Sequence, residues 1–243
     1  MTDKVSGYTE KIRCLSAAKL KFIAIISMLA DHVNKALIYP NLESNTGFLD
    51  TLSDIFDIIG RIAFPLFCFM IVEGFFKTRN RKKYLFNLLI FGVISEVPFD
   101  MFTTGSFYNT NWQNVMFTLA LVLVTIWIVD TLKTKMENRP KALWYIVSLL
   151  IVAVMCIVAM MFSLDYEHHA VLMGYFFYLF YGRPLLQIPF GYVTVYDQPW
   201  SLLGFGLILT YNGERGKQHK MLNYWFYPAH LLILGILRMC LGI

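Results

Sequence analysis

Nine apolar runs, at roughly 20–38, 55–76, 84–101, 113–132, 142–162, 168–182, 184–197, 199–211 and 222–241, divide this chain. A helix needs about 20 residues, within about 17–25, to cross a bilayer. The first five runs and the last meet or nearly meet that length, and the three between 168 and 211 are short. In lipid the backbone must satisfy its own hydrogen bonds, so a span is a helix or part of a closed barrel. The runs are continuous rather than alternating, which excludes a barrel. Only 15% of residues are charged against 57% hydrophobic, too little polar surface to coat a soluble globule. The expected fold class is all-α: a polytopic transmembrane helical bundle with about nine membrane crossings. The chain reads as one domain, 1–243, whose residues 1–18 form a polar amino-terminal segment.

Basic residues set the orientation, because short cytoplasmic loops are enriched in Lys and Arg. They cluster at Lys4, Lys11, Arg13, Lys19 and Lys21. Further groups are Lys77, Arg79, Arg81, Lys82 and Lys83; Lys133, Lys135, Arg139 and Lys141; and Arg215, Lys217 and Lys220. The stretches 39–53, 102–112 and 163–167 hold no Lys or Arg. This alternation predicts a multi-pass protein of the plasma (inner) membrane, amino terminus cytoplasmic and carboxyl terminus outside. Gly182, Pro184, Pro189, Gly191 and Pro199 interrupt helix between 168 and 211. Three short crossings there, or one crossing and a re-entrant hairpin, keep Arg215 inside; two long helices do not.

The formal charge of +5 lies in these loops and not along a groove, so no nucleic acid is expected as a partner. Cys14, Cys68, Cys156 and Cys240 are far apart and form no CxxC or Cys/His cluster, so neither a disulfide framework nor a metal site is expected. Residues 1–20 contain no apolar core ending in a cleavage site, so the first run reads as a retained helix.

Ionisable residues inside spans are costly and mark function by default. Lys21 and His32 are eleven residues apart, nearly three turns, and share a helix face about 16 Å apart along the axis. Asp31 and His32 point about 100° apart. Asp57 and Arg61 stand at i, i+4 and can pair. Depth counting brings His32, Asp57 and Arg61 to a similar level. Asp31, His32, Asp57 and Arg61 form the candidate catalytic group. Glu96, Asp100 and Asp165 lie toward the other face and suit an acidic outer vestibule that attracts an amine. Glu73 can pair with Lys77, and His230 follows Pro228, lining a cavity or capping freed carbonyls. Lys35 and Arg238 also fall inside runs. The stretches 79–83 and 212–217 suit phosphate binding, because Arg forks and Lys point charges match that task. No P-loop, GxSxG or HExxH is present.

Six segments resemble the TraX family, membrane proteins associated with amino-terminal acetylation of conjugative pilin. They are 20–32 (LKFIAIISMLADH), 60–76 (GRIAFPLFCFMIVEGFF), 78–100 (TRNRKKYLFNLLIFGVISEVPFD), 114–130 (NVMFTLALVLVTIWIVD), 165–174 and 211–232, with YNGERG and FYPAHLL. The resemblance covers roughly 18–241. It implies an acetyltransferase that uses acetyl-CoA as co-substrate, with a pilin-like exported peptide as acceptor. The family is also similar to larger membrane acyltransferases with a basic residue, ten intervening residues and a histidine on an early helix. Lys21 and His32 match that spacing, which implies a catalytic His32 and a donor contact at Lys21.

On this reading acetyl-CoA phosphates rest on Lys21, Arg79, Arg81, Lys82, Lys83, Arg215 and Lys217, with His230 also on the donor side. Neutral His32 takes a proton from an acceptor amine or hydroxyl that enters from outside. Arg61 stabilises the oxyanion or orients a carboxylate. A transient acetyl-histidine is the other route. Two further readings stay open: a proton-coupled transporter, and a non-catalytic pilus assembly partner.

Overall fold

The computed structural model describes residues 13–44, 47–218 and 220–243. Lys4 and Lys11 of the amino-terminal basic cluster lie outside the described residues.

Helix α1 (Ala17–Val33) starts where Ser16 turns extended and its hydroxyl oxygen accepts the Lys19 N–H at 3.4 Å. The other free N–H groups of its first turn find carbonyls in a distant loop: Ala17 donates to Glu214 and Ala18 to Arg215. Gly216 there has φ +68°, and a Cβ would stand 2.5 Å from the Ser16 hydroxyl oxygen, so only glycine fits. Past Val33 the chain continues as a π-helical turn, Asn34–Ile38, and a 3₁₀ turn, Tyr39–Ser44.

Helices α2 (Gly47–Gly60) and α3 (Ala63–Lys77) form one 31-residue apolar stretch broken at Arg61–Ile62. Sequence reading began this helix at 55, but it starts at Gly47. Asp50, Asp54 and Asp57 share one stripe of α2, while Phe48, Leu52, Ile55 and Ile59 share the opposite one, so its first turns are amphipathic rather than continuously apolar. Then come α4 (Arg81–Thr104), α5 (Val115–Lys135), α6 (Lys141–Met161), α7 (Glu167–Leu179), α8 (Pro184–Val193), α9 (Leu202–Leu209) and α10 (Lys220–Leu241). Pro98, Pro189 and Pro228 stay inside their helices.

Among the described residues, six stretches are long and apolar enough to cross a membrane: Ala17–Leu42, Gly47–Lys77, Arg81–Thr104, Val115–Lys135, Lys141–Met161 and Asn223–Leu241. The chain is an all-α multi-pass membrane protein. Helices α7, α8 and α9 have 13, 10 and 8 residues. They extend about 12–20 Å each, below the roughly 30 Å of a hydrocarbon core. Side chains fix their direction. Beyond α7, the Tyr181 hydroxyl donates to Glu73 at 2.8 Å; beyond α9, that of Tyr211 does so at 2.6 Å. Both ends therefore reach the face where Lys77 emerges. At the opposite end, His169 at the start of α7 meets the Thr194 carbonyl just past α8 at 2.6 Å. The three short helices thus run back and forth between two levels. The loop after α9 returns to the face where α1 begins, as the parity of basic residues requires.

The larger core centres on α3, α5 and α7, with Leu66, Phe75, Leu123, Ile126 and Phe177 fully buried. A smaller one joins α1, α4 and α10 through Met28, Phe99, Phe102, Tyr227, Leu231 and Leu234. Helix α6 leaves Leu149, Leu150, Val154, Ile157 and Met161 exposed, as a lipid-facing helix must. Helix pairs close on glycines: a Cβ at Gly60 would lie 2.6 Å from Asp31 Cβ, and one at Gly235 would lie 2.7 Å from Met101 Cβ. Gly235→Val is expected to push α10 off α4 and lower stability by about 1–3 kcal/mol. A thermal melt of the detergent-solubilised variant checks this, and an unchanged midpoint refutes the close contact.

Candidate functional site

Where α1, α4 and α10 meet, two imidazoles face one another. Nδ1 of His32 lies 2.7 Å from Nε2 of His230. His230 is buried, and its Nδ1 stands 2.7 Å from the Phe226 carbonyl oxygen one turn earlier on α10. With both rings neutral, one assignment of the protons meets this geometry. A carbonyl only accepts, so His230 Nδ1 carries a hydrogen and donates it. Neutral His230 then has a lone pair on Nε2, so His32 Nδ1 must be the donor to it. That leaves the remaining His32 nitrogen, Nε2, with a lone pair. His32 is half-buried, and the Phe102 ring packs on it at 4.8 Å between centroids. The pair therefore presents one oriented nitrogen lone pair.

The rest of the candidate catalytic group faces elsewhere. Asp31 is buried against Gly60 and pairs with Lys35 at 2.7 Å, not with His32. Asp57 and Arg61 form the i, i+4 ion pair expected from their spacing, at 2.7 Å, and Arg61 also reaches Gln198 at 3.4 Å. Among the described residues His32 meets His230 and Phe102, whereas Arg61 meets Asp57 and Gln198; the two groups make no direct contact. The rotation of 100° between adjacent helix positions explains this separation at similar depth. His230, assigned from sequence with the basic loops, instead sits beside His32.

The basic residues gather at the face where α1 begins. Lys21 donates to Gln218 at 3.1 Å, tying α1 to the loop that carries Arg215 and Lys217, both exposed. Lys77 donates to the Gly213 carbonyl, to the Tyr211 hydroxyl at 3.1 Å and to Glu73 at 2.6 Å, so it anchors the same loop. Arg79, Lys82 and Lys83 are exposed at the adjoining turn. Arg81 differs: it pairs with Asp130 at 3.0 Å and covers the Phe75 ring at 3.8 Å, which fixes α4 against α5 and α3. Around this lock, burial and the Glu73 carboxylate raise the Tyr211 hydroxyl to about 12.

Toward the opposite face the three acidic candidates hold loops. Glu96 accepts from the Asn114 amide, which also donates to the Gly92 carbonyl at 2.8 Å. Asp100 accepts the Asn109 N–H at 2.9 Å. Each keeps a second, buried oxygen without a hydrogen-bond partner among the described residues. The Asp165 carbonyl accepts from the Thr118 hydroxyl at 2.6 Å. An acidic vestibule reads these groups as a set, but their partners are separate. Sequence reading missed Tyr166. It is a non-glycine residue at φ +60°, followed by Glu167 at +39°, and its ring stacks on Phe64 at 3.7 Å. Two such residues in succession store backbone strain at this turn. The only hint in the sequence is an aromatic between acidic neighbours.

Burial pushes the Asp165 carboxyl up to about 6; Lys35 opposes the rise and Asp31 adds to it. The folded state holds this proton more tightly than the unfolded chain, so its stabilising contribution is complete below about pH 4 and is lost as pH rises through about 6. Asp165→Asn should therefore flatten the pH dependence of the melting midpoint across that window and exceed the wild type above it. Parallel wild-type and variant curves from pH 4 to 7.5 would refute the shift.

With this geometry in place, comparisons with known proteins add a family. The TraX protein family profile matches residues 16–238. The chain belongs to the TraX family. It is also similar to the probable fimbrial assembly protein FimC, serogroup H1, of Dichelobacter nodosus, at 31% identity over 93% of this chain and 97% of that protein. No solved structure matches. Every candidate named above, from Lys21 to His230, falls within the stretch matched to TraX.

Proposed function

We propose that this TraX protein is a membrane acetyltransferase. It would move an acetyl group from cytoplasmic acetyl-CoA to an amine, the amino terminus of an exported pilin-like peptide, presented from the far side. The observation that carries this reading is the relay Phe226 carbonyl–His230–His32, which leaves a lone pair on His32 Nε2. A structural histidine in lipid needs its protons satisfied; it does not need a second histidine to fix which nitrogen stays bare. The cationic face at Lys21, Arg79, Lys82, Lys83, Arg215 and Lys217 suits CoA phosphates, and on this reading that face would be the cytoplasmic one, as the positive-inside rule expects. About 16 Å of α1 separates Lys21 from His32, a span suited to an extended pantetheine arm.

In the reaction, the acceptor amine nitrogen attacks the thioester carbonyl while His32 Nε2 takes its proton. The tetrahedral intermediate collapses, the C–S bond breaks, and the imidazolium returns the proton to the leaving thiolate. The products are an acetamide and CoA thiol, and His32 ends neutral. His230 acts through His32: it holds the tautomer and stabilises the imidazolium by keeping an acceptor on Nδ1–H. The acetyl group reaches the far side without CoA crossing the bilayer.

The relative's description as a probable fimbrial assembly protein also fits a second reading, a partner that helps pilus subunits assemble without chemistry. One experiment separates them: purified protein in lipid nanodiscs, acetyl-CoA and a peptide amine, with thiol release followed by a disulfide dye. The acetyltransferase reading expects release that falls about 10²–10⁴-fold in His32→Ala. It expects a loss of about tenfold to a hundredfold in His230→Phe, which keeps the ring but removes the acceptor. No release by the wild type, or equal release by His32→Ala, rejects it and favours the assembly reading.

A further inference from the structure

Four carboxylates of the bundle each meet a cation. Asp31 pairs with Lys35 at 2.7 Å, Asp57 with Arg61 at 2.7 Å, Glu73 with Lys77 at 2.6 Å and Asp130 with Arg81 at 3.0 Å. Asp165 meets no Lys or Arg within ion-pair distance among the described residues. Glu96 and Asp100 also lack a cation, but loop donors hold them, and Asp100 is sealed at 2% exposure. Asp165 is half-buried in the turn between α6 and α7, outside the six long spans, so that face gives access to it.

The turn holds Asp165 by its backbone. Its N–H donates to the Gln113 carbonyl at 3.1 Å, and its carbonyl accepts the Thr118 hydroxyl at 2.6 Å. Three non-glycine residues around it, Ser163, Tyr166 and Glu167, take φ of +48°, +60° and +39°. Such strain persists only where the surroundings over-determine it, and it gathers at functional sites. The Tyr166 N–H reaches the carboxylate, whose two oxygens can accept about four hydrogen bonds. Its electrostatic neighbours are Asp31 and Lys35 on α1, Tyr166 on its own turn and Tyr227 on α10. Asp31 and Lys35 bracket His32 in the chain, and the Tyr227 ring lies 5.6 Å from that of His230. Asp165 thus borders the histidine pair from the face opposite the basic loops. Lys35 serves Asp31 directly, and Arg61, which faces Tyr166, serves Asp57. Three carboxylates therefore face two cations in this corner, and the unmatched one is Asp165.

We propose that Asp165 receives the acceptor's amino terminus as an ammonium and takes the proton that must leave before its nitrogen can attack. The inference rests on the acetyl-transfer reading and adds a second base to it. At neutral pH an α-amino group, with a pKa of about 8, is mostly ammonium and has no lone pair. Acetylation must strip two protons from that nitrogen, and His32 accounts for one, which it passes to the thiolate. In the earlier step an ammonium N–H bond breaks, its electron pair stays on nitrogen, and the Asp165 carboxylate gains the proton. The neutral amine moves on to His32, and Asp165 gives its proton to water on its own face. The sum converts an ammonium and acetyl-CoA into an acetamide, CoA thiol and one proton. Burial assists, because a carboxyl at about 6 makes the transfer uphill by about a hundredfold, against about ten-thousandfold for an ordinary aspartate.

The test has two arms, both on the full-length protein in nanodiscs. Without acetyl-CoA, binding of Ala-Gly-Gly, labelled at its carboxyl end, is compared with lactoyl-Gly-Gly, which carries a hydroxyl in place of the amine. At about pH 7 the wild type should bind the ammonium peptide about tenfold more tightly, as a charge-assisted hydrogen bond implies. The preference should shrink with salt and fall toward one at about pH 5, where Asp165 holds a proton. Asp165→Asn, whose fold at neutral pH the stability argument above favours, should lose it. With acetyl-CoA, thiol release by Asp165→Asn should fall about a hundredfold near pH 7. It should recover to within about threefold of the wild type near pH 9, where the amine is already neutral. Equal binding of the two peptides by the wild type, or an unchanged preference in Asp165→Asn, overturns the proposal. So does a deficit in thiol release that stays constant with pH, which marks a merely structural aspartate. Absence of release by the wild type rejects acetyl transfer and the proton step with it, while the binding arm still decides whether Asp165 meets the ammonium.

Discussion

Hydrocarbon offers no hydrogen bonds, and that single constraint organises this molecule. Each polar group carried into the bundle must find a protein partner there. Lys77 and two tyrosine hydroxyls close on Glu73, Arg61 closes on Asp57, and Arg81 closes on Asp130. These pairs fasten short and broken helices whose apolar surfaces alone would let them slide. The histidine pair obeys the same rule with a different result. Each proton in the chain has an acceptor, and the surplus appears as one lone pair on His32.

The bundle holds two apolar clusters of different size. Around α3, α5 and α7 the core is apolar and fully buried, and the three short helices pack onto it. The smaller cluster joining α1, α4 and α10 lies beside the histidine pair. Gly235 lets α10 approach α4 closely, so the second histidine is set by backbone contact and not by a flexible side chain. A basic nitrogen held in this way suits proton transfer, because orientation is settled before a substrate arrives.

Much of the architecture was legible in the sequence. Continuous apolar runs identified the six long spans, and helix breakers between 182 and 199 foretold the short helices. The alternation of basic loops placed the loop after α9 on the same face as the Lys77 turn, and the contacts of Tyr181 and Tyr211 with Glu73 put both ends at that level. The i, i+4 ion pairs at Asp57–Arg61 and Glu73–Lys77 also followed from spacing alone. The start of α2 did not, because its aspartate stripe interrupts a run that a 3.6-residue period would have recovered. The pairing of His32 with His230 was beyond sequence reasoning for another reason. Depth counting gives a residue's level in the membrane but not which of several neighbouring helices it faces, and 198 residues separate the two rings.

The central claim concerns protons, so the most direct measurement detects them. Nitrogen-15 spectra of histidine-labelled protein in bilayers, assigned with single-histidine variants, report which ring nitrogens carry hydrogen. The account predicts two neutral rings near pH 7, both protonated on Nδ1, with His32 Nε2 bare. A proton on His32 Nε2, or an imidazolium at either ring under those conditions, would contradict it.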